Sequence, residues 1–513
     1  MNTSFQRILS VAFTFILAIA ALGAAPARAV GAVSATPTTD PVYYVNHLAA
    51  PGGDGSSWAS AFKDLRDAIY AVQVTATCGV NTCQIWVAQG AYYLAEGYQF
   101  YLNGGGEYIY GGFVGDETDL SQRNWRAHPT TLVGQHSNVV YAYGFVGLLD
   151  GFTITGGELT AANSKGGGIY IECGAPLLFN LNIVGNSAAW GGGLFVNSTF
   201  GCPTPGHYPN LMNVVFSGNS ATNGGGIALV QSSPTLVNVI FSGNSAAQGD
   251  GIYDYRGSPT LTNVSMSGDG IHNYLQSSPT IQNSIIWGSL TGSITNEEGT
   301  CIPTITYSLV QGCKPGGTWD DSCGTDGTHN LADIDPKYVS DSLPDLHLQP
   351  TSPAIDQGNN ALIPGYITPT DLDGNSRIVG SAVDLGAYEF QSANTPPVVT
   401  NFTKAGLKNN DISFLAADFT THFSDADGDS LVSIQITFLP AQGTLYLVGT
   451  PVAVGQEILV GSLGSLHFMP PSDWGGTVSF GWIASDGIAY STNPAVITIT
   501  IFSFQVFLPV EIN

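Results

Sequence analysis

The stretches FSGNSATNGGGI (Phe216–Ile227) and FSGNSAAQGDGI (Phe241–Ile252) are near copies, and the second carries Asp250 where the first has Gly225. Counting the same column onward reaches Asp269. If the copies stack one strand spacing apart, these acids stand about 5 Å from each other, a separation that suits a retaining glycosidase. At an effective dielectric near 20 their repulsion is roughly 3 kcal/mol, and under about 1 kcal/mol in open water. They therefore splay into solvent, share a cation, or keep one proton. Asp254, Tyr255, His272 and Tyr274 lie close by in sequence and complete a candidate sugar-binding patch of aromatic and polar groups. Against this stands a plainer reading, in which Asp replaces Gly in a solvated tight turn.

Such a patch needs a scaffold that repeats. The blocks PLLFNLNIVG, PNLMNVVFSG, SPTLVNVIFSG, SPTLTNVSMSG and SPTIQNSIIWG share three columns. Leu178, Leu211, Leu236, Leu261 and Ile281 form the first, and Ile183, Phe216, Phe241, Met266 and Ile286 the third. Between them run Asn180, Asn213, Asn238, Asn263 and Asn283, separated by 33, 25, 25 and 20 residues. Insertions fall between blocks and not within them, as in a solenoid whose strands are fixed while its loops vary. Val, Ile and Thr bounded by Pro, Gly and Ser mean strands. A coil of three short strands in 20–25 residues is a parallel β-helix, rising about 4.8 Å per coil. Stacked Leu and Phe make the interior. Asn suits a left-handed turn and can bond along a ladder of its own kind. The triplets Gly166–Gly168, Gly191–Gly193 and Gly224–Gly226 suit bends.

The chain has 513 residues, 64 of them Gly, with 10 % charged. Arg7, the apolar run ILSVAFTFILAIAALG and the site Ala27-Arg28-Ala29 read as a signal peptide over 1–29. Cleavage there removes two of 13 basic residues and no acid, so 11 stand against 38 and the net charge passes from −25 to −27. That excludes nucleic acid and anionic membrane as partners. No later run is long enough to span a bilayer. Seven Cys in a secreted chain predict disulfides and one spare thiol. Cys78 can close a small loop with Cys83, Cys173 can staple to Cys202, and Cys313 has Cys323 and Cys301 as alternatives.

FSGN at 216–219 and 241–244, with GGGI at 224–227, resembles the repeats of polymorphic outer membrane proteins, β-helical surface adhesins; the likeness covers about 160–290. YYVNHLAAPGGDGSSWASAFKDLRDAI (43–69), IWVAQGAYY (85–93) and GGFVGDETDLSQRNW (111–125) look like the start of secreted bacterial right-handed β-helix proteins. In the first, Phe62, Leu65, Ile69 and Val72 share a helical face that can cover the open end of the solenoid. SPAIDQGNN (352–360), DLDGNSRIVG (371–380) and VDLGAYEF (383–390) resemble the choice-of-anchor Q domain, which implies surface attachment. FSDADGDSL (423–431), GTLYL (443–447), LHFMPPSDWGG (466–476) and FGWIASDG (480–487) resemble bacterial cadherin-like modules. That resemblance implies calcium on Asp425, Asp427 and Asp429, with Asp486 as a further ligand. It is not an EF-hand, because Gly428 falls at position four and no Glu at position twelve.

The expected fold class is all-β: a right-handed parallel β-helix of the pectate-lyase-like type over 41–390, with the anchor region at about 331–390. An antiparallel cadherin-like sandwich follows over 394–502, and a tail over 503–513. The expected function is a secreted or surface-displayed adhesin-like monomer that binds extracellular polysaccharide or cell-surface components without catalysis. Its rival is a polysaccharide lyase or glycoside hydrolase using Asp250 and Asp269. Serine hydrolysis lacks a G-x-S-x-G, zinc proteolysis lacks an H-E-x-x-H, and the N-T-D and R-I-K signatures of polygalacturonases are missing. Pectate-lyase chemistry wants basic groups that this composition scarcely supplies.

Overall fold

A computed structural model describes residues 41–503 apart from 75–82, 200–201, 203–205, 298, 341–344, 366–369, 392–393, 427–428 and 488. Residues 1–40, which include the expected signal peptide over 1–29, and the residues after 503 therefore lie outside the described residues. One compact unit ends at Phe390 and another begins at Gln391.

The first unit is a parallel β-helix. Eleven strands stack in one parallel series, from Val42–Val45 through Leu177–Val184, Asn210–Ser217, Thr235–Ser242 and Thr260–Ser267 to Thr325–Asp326. A second face has eight, from Phe100–Asn103 to Ile294–Glu297. The interior is the stacked columns: Leu211, Leu236 and Leu261 beneath Leu178, and Phe216, Phe241 and Met266 beneath Ile183, all buried. Phe216 and Phe241 lie 5.0 Å apart with their rings 6° from parallel. Each such side chain is worth roughly 1.5–3 kcal/mol on burial. The helix Leu65–Val74 covers the first coil with Leu65, Ala68, Ile69 and Val72. At the other end the disulfide Cys313–Cys323 and Trp319 pack on the core.

The asparagine column turns out to bend the strands from within. Each Asn sits inside a strand assigned over eight residues, or just after a three-residue one, with φ between 48° and 55°. The pairing skips it, so that Phe179 pairs with Met212 and Leu181 with Val214. The Nδ2 of Asn213 donates to Asn180 Oδ1 at 3.1 Å, and Asn238 to Asn213 at the same distance. The left-handed corner and the amide ladder thus belong to the same residues.

Cys173 pairs with Cys202, and Cys83 is disulfide-bonded; Cys78 lies outside the described residues. Cys313 takes Cys323, which leaves Cys301 a buried free thiol.

Residues 331–390 do not continue the coils. They carry an antiparallel hairpin (Tyr338–Ser340 with Asp345–Leu348) and lie against the outside of the long sheet. Outward side chains there are mostly apolar where covered (Val215, Ile240, Ile285 and Leu309, with Ser265 among them bound to Ala387 N–H) and polar where open (Thr131, Thr153, Asn182). The stretches DLDGNSRIVG (371–380) and VDLGAYEF (383–390) weave this plate together. Asp371 accepts from the backbone N–H of Asp373, Asn375 and Glu389. Glu389 accepts from Val379 and Asp384, and the fully buried Arg377 donates to the carbonyls of Asp384 and Gly386.

The second unit is a sandwich of a five-stranded and a four-stranded sheet around Trp482, Phe414, Phe419, Phe468 and Phe480. Its pairing is antiparallel except at Phe402–Leu407, which joins Ala495–Phe502 in parallel. Among the described residues no helix is long and apolar enough to cross a membrane.

Candidate functional site

The strand Ile252–Tyr255 pairs with Ile271–Tyr274 in simple register: Tyr253 beside His272, Asp254 beside Asn273, Tyr255 beside Tyr274. Side chains alternate faces along a strand. Tyr253, Tyr255, His272 and Tyr274 therefore line the outer surface, while Asp254 points inward in the column of Ile171, Val196 and Leu229. Asp254 and Asn273 are both wholly buried. The Asp254 carboxyl fills space left by Gly257, whose added Cβ would stand 2.2 Å from Asp254 Oδ1. Burial pushes this carboxyl up to about 8, against weaker lowering by the Ser277 hydroxyl and the Gly257 N–H. Asp254 is thus not part of a surface patch with Tyr255.

Asp269 also leaves the expected column. Its strand aligns Met266 with Phe241, which puts Asp269 under Asn244 and not under Asp250. It ends an interior ladder: Asn186 Nδ2 donates to Asn219 at 3.1 Å, Asn219 to Asn244 at 3.0 Å, and Asn244 to Asp269 Oδ2 at 3.1 Å. Burial raises the Asp269 carboxyl to about 8, with a smaller push from the Asp250 charge. The cause of the shift in column is a shortened coil. From Ile227 to Ile252 is 25 residues, but from Ile252 to Ile271 only 19, and the short strand seen as Ser220–Asn223 and Ser245–Gln248 is not repeated.

The same deletion explains Asp250. A Cβ on Gly225 would meet Asp250 O at 2.5 Å and Ser245 N at 2.8 Å; Gly192 is pressed in the same way by Ser220. Below Asp250 the shortened coil has no counterpart of Ser245, so a side chain fits. Its carboxylate accepts from Ala246 N–H at 2.7 Å and from Thr291 Oγ1 at 3.0 Å. The Gly-to-Asp change is first of all a packing consequence.

What the outer face holds is a longer aromatic ladder. Tyr101, Tyr141, Tyr170, Phe195, Ala228, Tyr253 and His272 occupy successive rungs of one column. Centroids are 5.5 Å apart from Tyr101 to Tyr141, 5.0 Å from Tyr141 to Tyr170 and 5.3 Å from Tyr170 to Phe195. Trp190 bridges the gap at Ala228 by meeting Tyr253 edge-on at 5.6 Å, and Tyr253 stacks on His272 at 5.4 Å. A neighbouring column carries Tyr143, Glu172, Asn197, Tyr255, Tyr274 and Glu297. Tyr141 donates to Glu172 Oε2 at 2.7 Å. Burial raises the Tyr253 phenol to about 12, so it remains a donor at neutral pH, and burial lowers His272. Tyr253 escaped the sequence reading, although the alternation in IYDY was the signal that pairs it with Tyr255.

A second cluster had no sequence signal, because its parts are far apart along the chain. His347 is held between Asp345 (Nδ1 to Oδ1, 2.5 Å) and Asp373 (Nε2 to Oδ2, 2.7 Å) and stacks on Tyr388 at 3.7 Å. The Asp373 hydrogen bond, with Asp345 adding to it, raises this imidazole to about 9. With both nitrogens engaged and charged, it acts as a clamp and offers no lone pair to a substrate.

In the second unit Ser433 pairs with Ser485, which brings Asp486 to the same end as the 425–431 loop. Asp425 accepts from Asp429 N–H at 3.3 Å, and Asp486 accepts from Ala489 N–H and Asn394 Nδ2. Asp427 lies outside the described residues. Among the described residues no three His, Cys, Asp or Glu side chains group closely enough to hold a metal. Neither a protein-family model nor a curated protein sequence matches the chain.

Proposed function

We propose that this chain is a secreted, surface-displayed adhesin-like protein whose aromatic face grips extracellular polysaccharide or cell-surface components without turning them over. The aromatic ladder carries the reading. A solenoid repeats one side chain per coil at about 4.8 Å, and a polymer of repeating sugars is the ligand that profits from such repetition. Tyrosine combines an apolar ring with a hydroxyl, matching the mixed surface of a sugar. Tyr101 and Tyr143 are 40 % and 43 % exposed and Tyr141, Tyr170, Tyr255 and Tyr274 are half-buried, while Phe195, Ala228, Tyr253 and His272 are covered, so a ligand meets tyrosines at the two ends of the row and not at its middle.

The two acids of the hydrolase alternative favour binding over catalysis: Asp269 is spent inside the Asn ladder and Asp250 on its own turn. The likeness to polymorphic outer membrane proteins, choice-of-anchor Q and cadherin-like modules supports display at a cell surface, as does the signal-peptide pattern. Calcium on Asp425, Asp427, Asp429 and Asp486 belongs to the same proposal, stiffening the second unit. A glycan array on the mature chain tests the reading, with Tyr141, Tyr255 and Tyr274 together changed to Ala. Retention by the parent and at least about tenfold loss in the triple variant is expected. Release of reducing or unsaturated sugars by the parent, or unchanged binding by the variant, overturns it.

A further inference from the structure

Away from the aromatic face, a cleft of about 210 Å³ opens on the outer surface of the long sheet. Its floor is Phe152 with Thr153 and Asn182 on adjacent rungs, and Asn180 at the corner; Trp125 and Arg126 form one wall. The cleft lies at the edge of the plate formed by 331–390. Arg126 reaches across to that plate, donating from Nη2 to Leu372 O at 2.7 Å, and its guanidinium lies 4.2 Å from the Trp125 ring centre.

Three observations give the site its character. Arg126 is the one charged residue among those that line it, in a chain of net charge −25. Two acids lie near: Asp150 is already bound by Arg123 at 2.6 Å and 3.0 Å and by Asn180 at 2.8 Å, and Asp373, which feels the Arg126 charge, is bound by His347 at 2.7 Å. The side chains of Thr153 and Asn182 hydrogen-bond to no other described residue, so they remain available beside the unused edge of the guanidinium. The plate covers the same column further along, where it is apolar apart from Ser265, whose hydroxyl accepts from Ala387 N–H at 2.9 Å, and it leaves Thr153 and Asn182 uncovered.

A donor-rich hollow without a carboxylate suits a ligand that brings acceptors and a negative charge. Neutral-sugar sites need acceptors for the sugar hydroxyls, and here only amide and hydroxyl oxygens offer them. Arginine pairs with carboxylates through two parallel N–H groups. We propose that this cleft is a subsite for one acidic sugar residue, a hexuronate, with Arg126 on the carboxylate and Asn182 and Thr153 on adjacent hydroxyls. The repulsion of the distant acidic surface is screened beyond about 8 Å at physiological salt and slows the approach more than it weakens the contact. The assignment rests on the reading of the chain as a polysaccharide binder, but on a different face from the tyrosines.

The test uses the mature chain with D-glucuronate as probe and D-glucose as neutral control, followed by calorimetry or ligand-observed NMR. Saturable glucuronate binding at least about tenfold tighter than glucose is expected, as befits one charge-assisted contact. Arg126→Ala and Asn182→Trp are each expected to weaken it by at least about tenfold, the latter by filling the cleft from an outward position between Thr153 and Val215. Equal binding of the two sugars, no saturable binding, or glucuronate binding that survives both substitutions overturns the proposal. Glycan-array binding that still depends on Tyr141, Tyr255 and Tyr274 would leave the wider reading standing, so the two failures are separable.

Discussion

Replacing Asp254 by Asn should change how stability depends on pH more than it changes the structure. The two side chains have nearly the same shape, and Asn273 already occupies the next rung. In the folded protein burial holds the Asp254 carboxyl at about 8, against an ordinary 3.8. Between those values the unfolded chain binds fewer protons than the folded one, so stability falls as pH rises. The contribution is fully present below pH 4, is diminished by about 4 kcal/mol at pH 7, and levels off near 6 kcal/mol above pH 8, at 1.36 kcal/mol per unit. Asn cannot ionise and escapes the loss. Urea-unfolding midpoints of parent and Asp254→Asn, taken from pH 4 to 9 by tryptophan fluorescence, should therefore diverge. The variant is level with or below the parent at pH 4 and ahead by several kcal/mol at pH 8. Asp269 and the general acidic repulsion remain in both proteins and cancel in the difference. Parallel profiles for the two proteins would refute the reasoning, since they would mean that Asp254 titrates alike folded and unfolded.

Three further outcomes follow from the same geometry. Asn238→Ala should cost roughly 2–4 kcal/mol by calorimetry, through left-handed backbone strain at φ 52° and lost bonds to Asn213 and Thr370. Asn238→Gly should recover about 1–2 kcal/mol of that, the backbone share. Gly225→Asp should destabilise by roughly 1–3 kcal/mol because its Cβ meets backbone that cannot yield; Asp250→Gly, one coil below, should shift the unfolding midpoint by less than about 1 kcal/mol. EDTA should lower the melting temperature of the calcium-loaded chain, with less effect on Asp425→Asn; identical melting with and without calcium would remove the metal from the second unit.

The solenoid was legible because its causes are local and repeated. Columns of Leu, Asn and Phe at constant offsets specify strand, corner and strand in every coil, and the Asn residues carry both the conformation and the hydrogen bonds that the corner needs. The end-covering helix was legible for a similar reason, since Leu65, Ile69 and Val72 show one apolar face at helical spacing. The site was legible only in part. Tyr255, His272 and Tyr274 do share the outer surface, but Asp254 lies inside by simple alternation.

Asp269 was misplaced because the six residues this coil lacks fall between Met266 and Ile271, so the position two before Ile271, matching Asp250, is also the third after Met266, where Asn244 stands in the coil above. Length differences leave no mark on residue type, so register had to come from the pairing itself. The His347 clamp, the knot around Arg377 and the Arg126 cleft unite residues up to 246 positions apart, for which local sequence has no code. By itself the sequence determined the coil: what faces in, what bends, and that strands stack in parallel. Tertiary structure alone decided where the coil shortens, and hence that Asp269 enters the interior ladder, and which outer polar surface stays open, because the first depends on strand register and the second on the plate laid over the coils from outside.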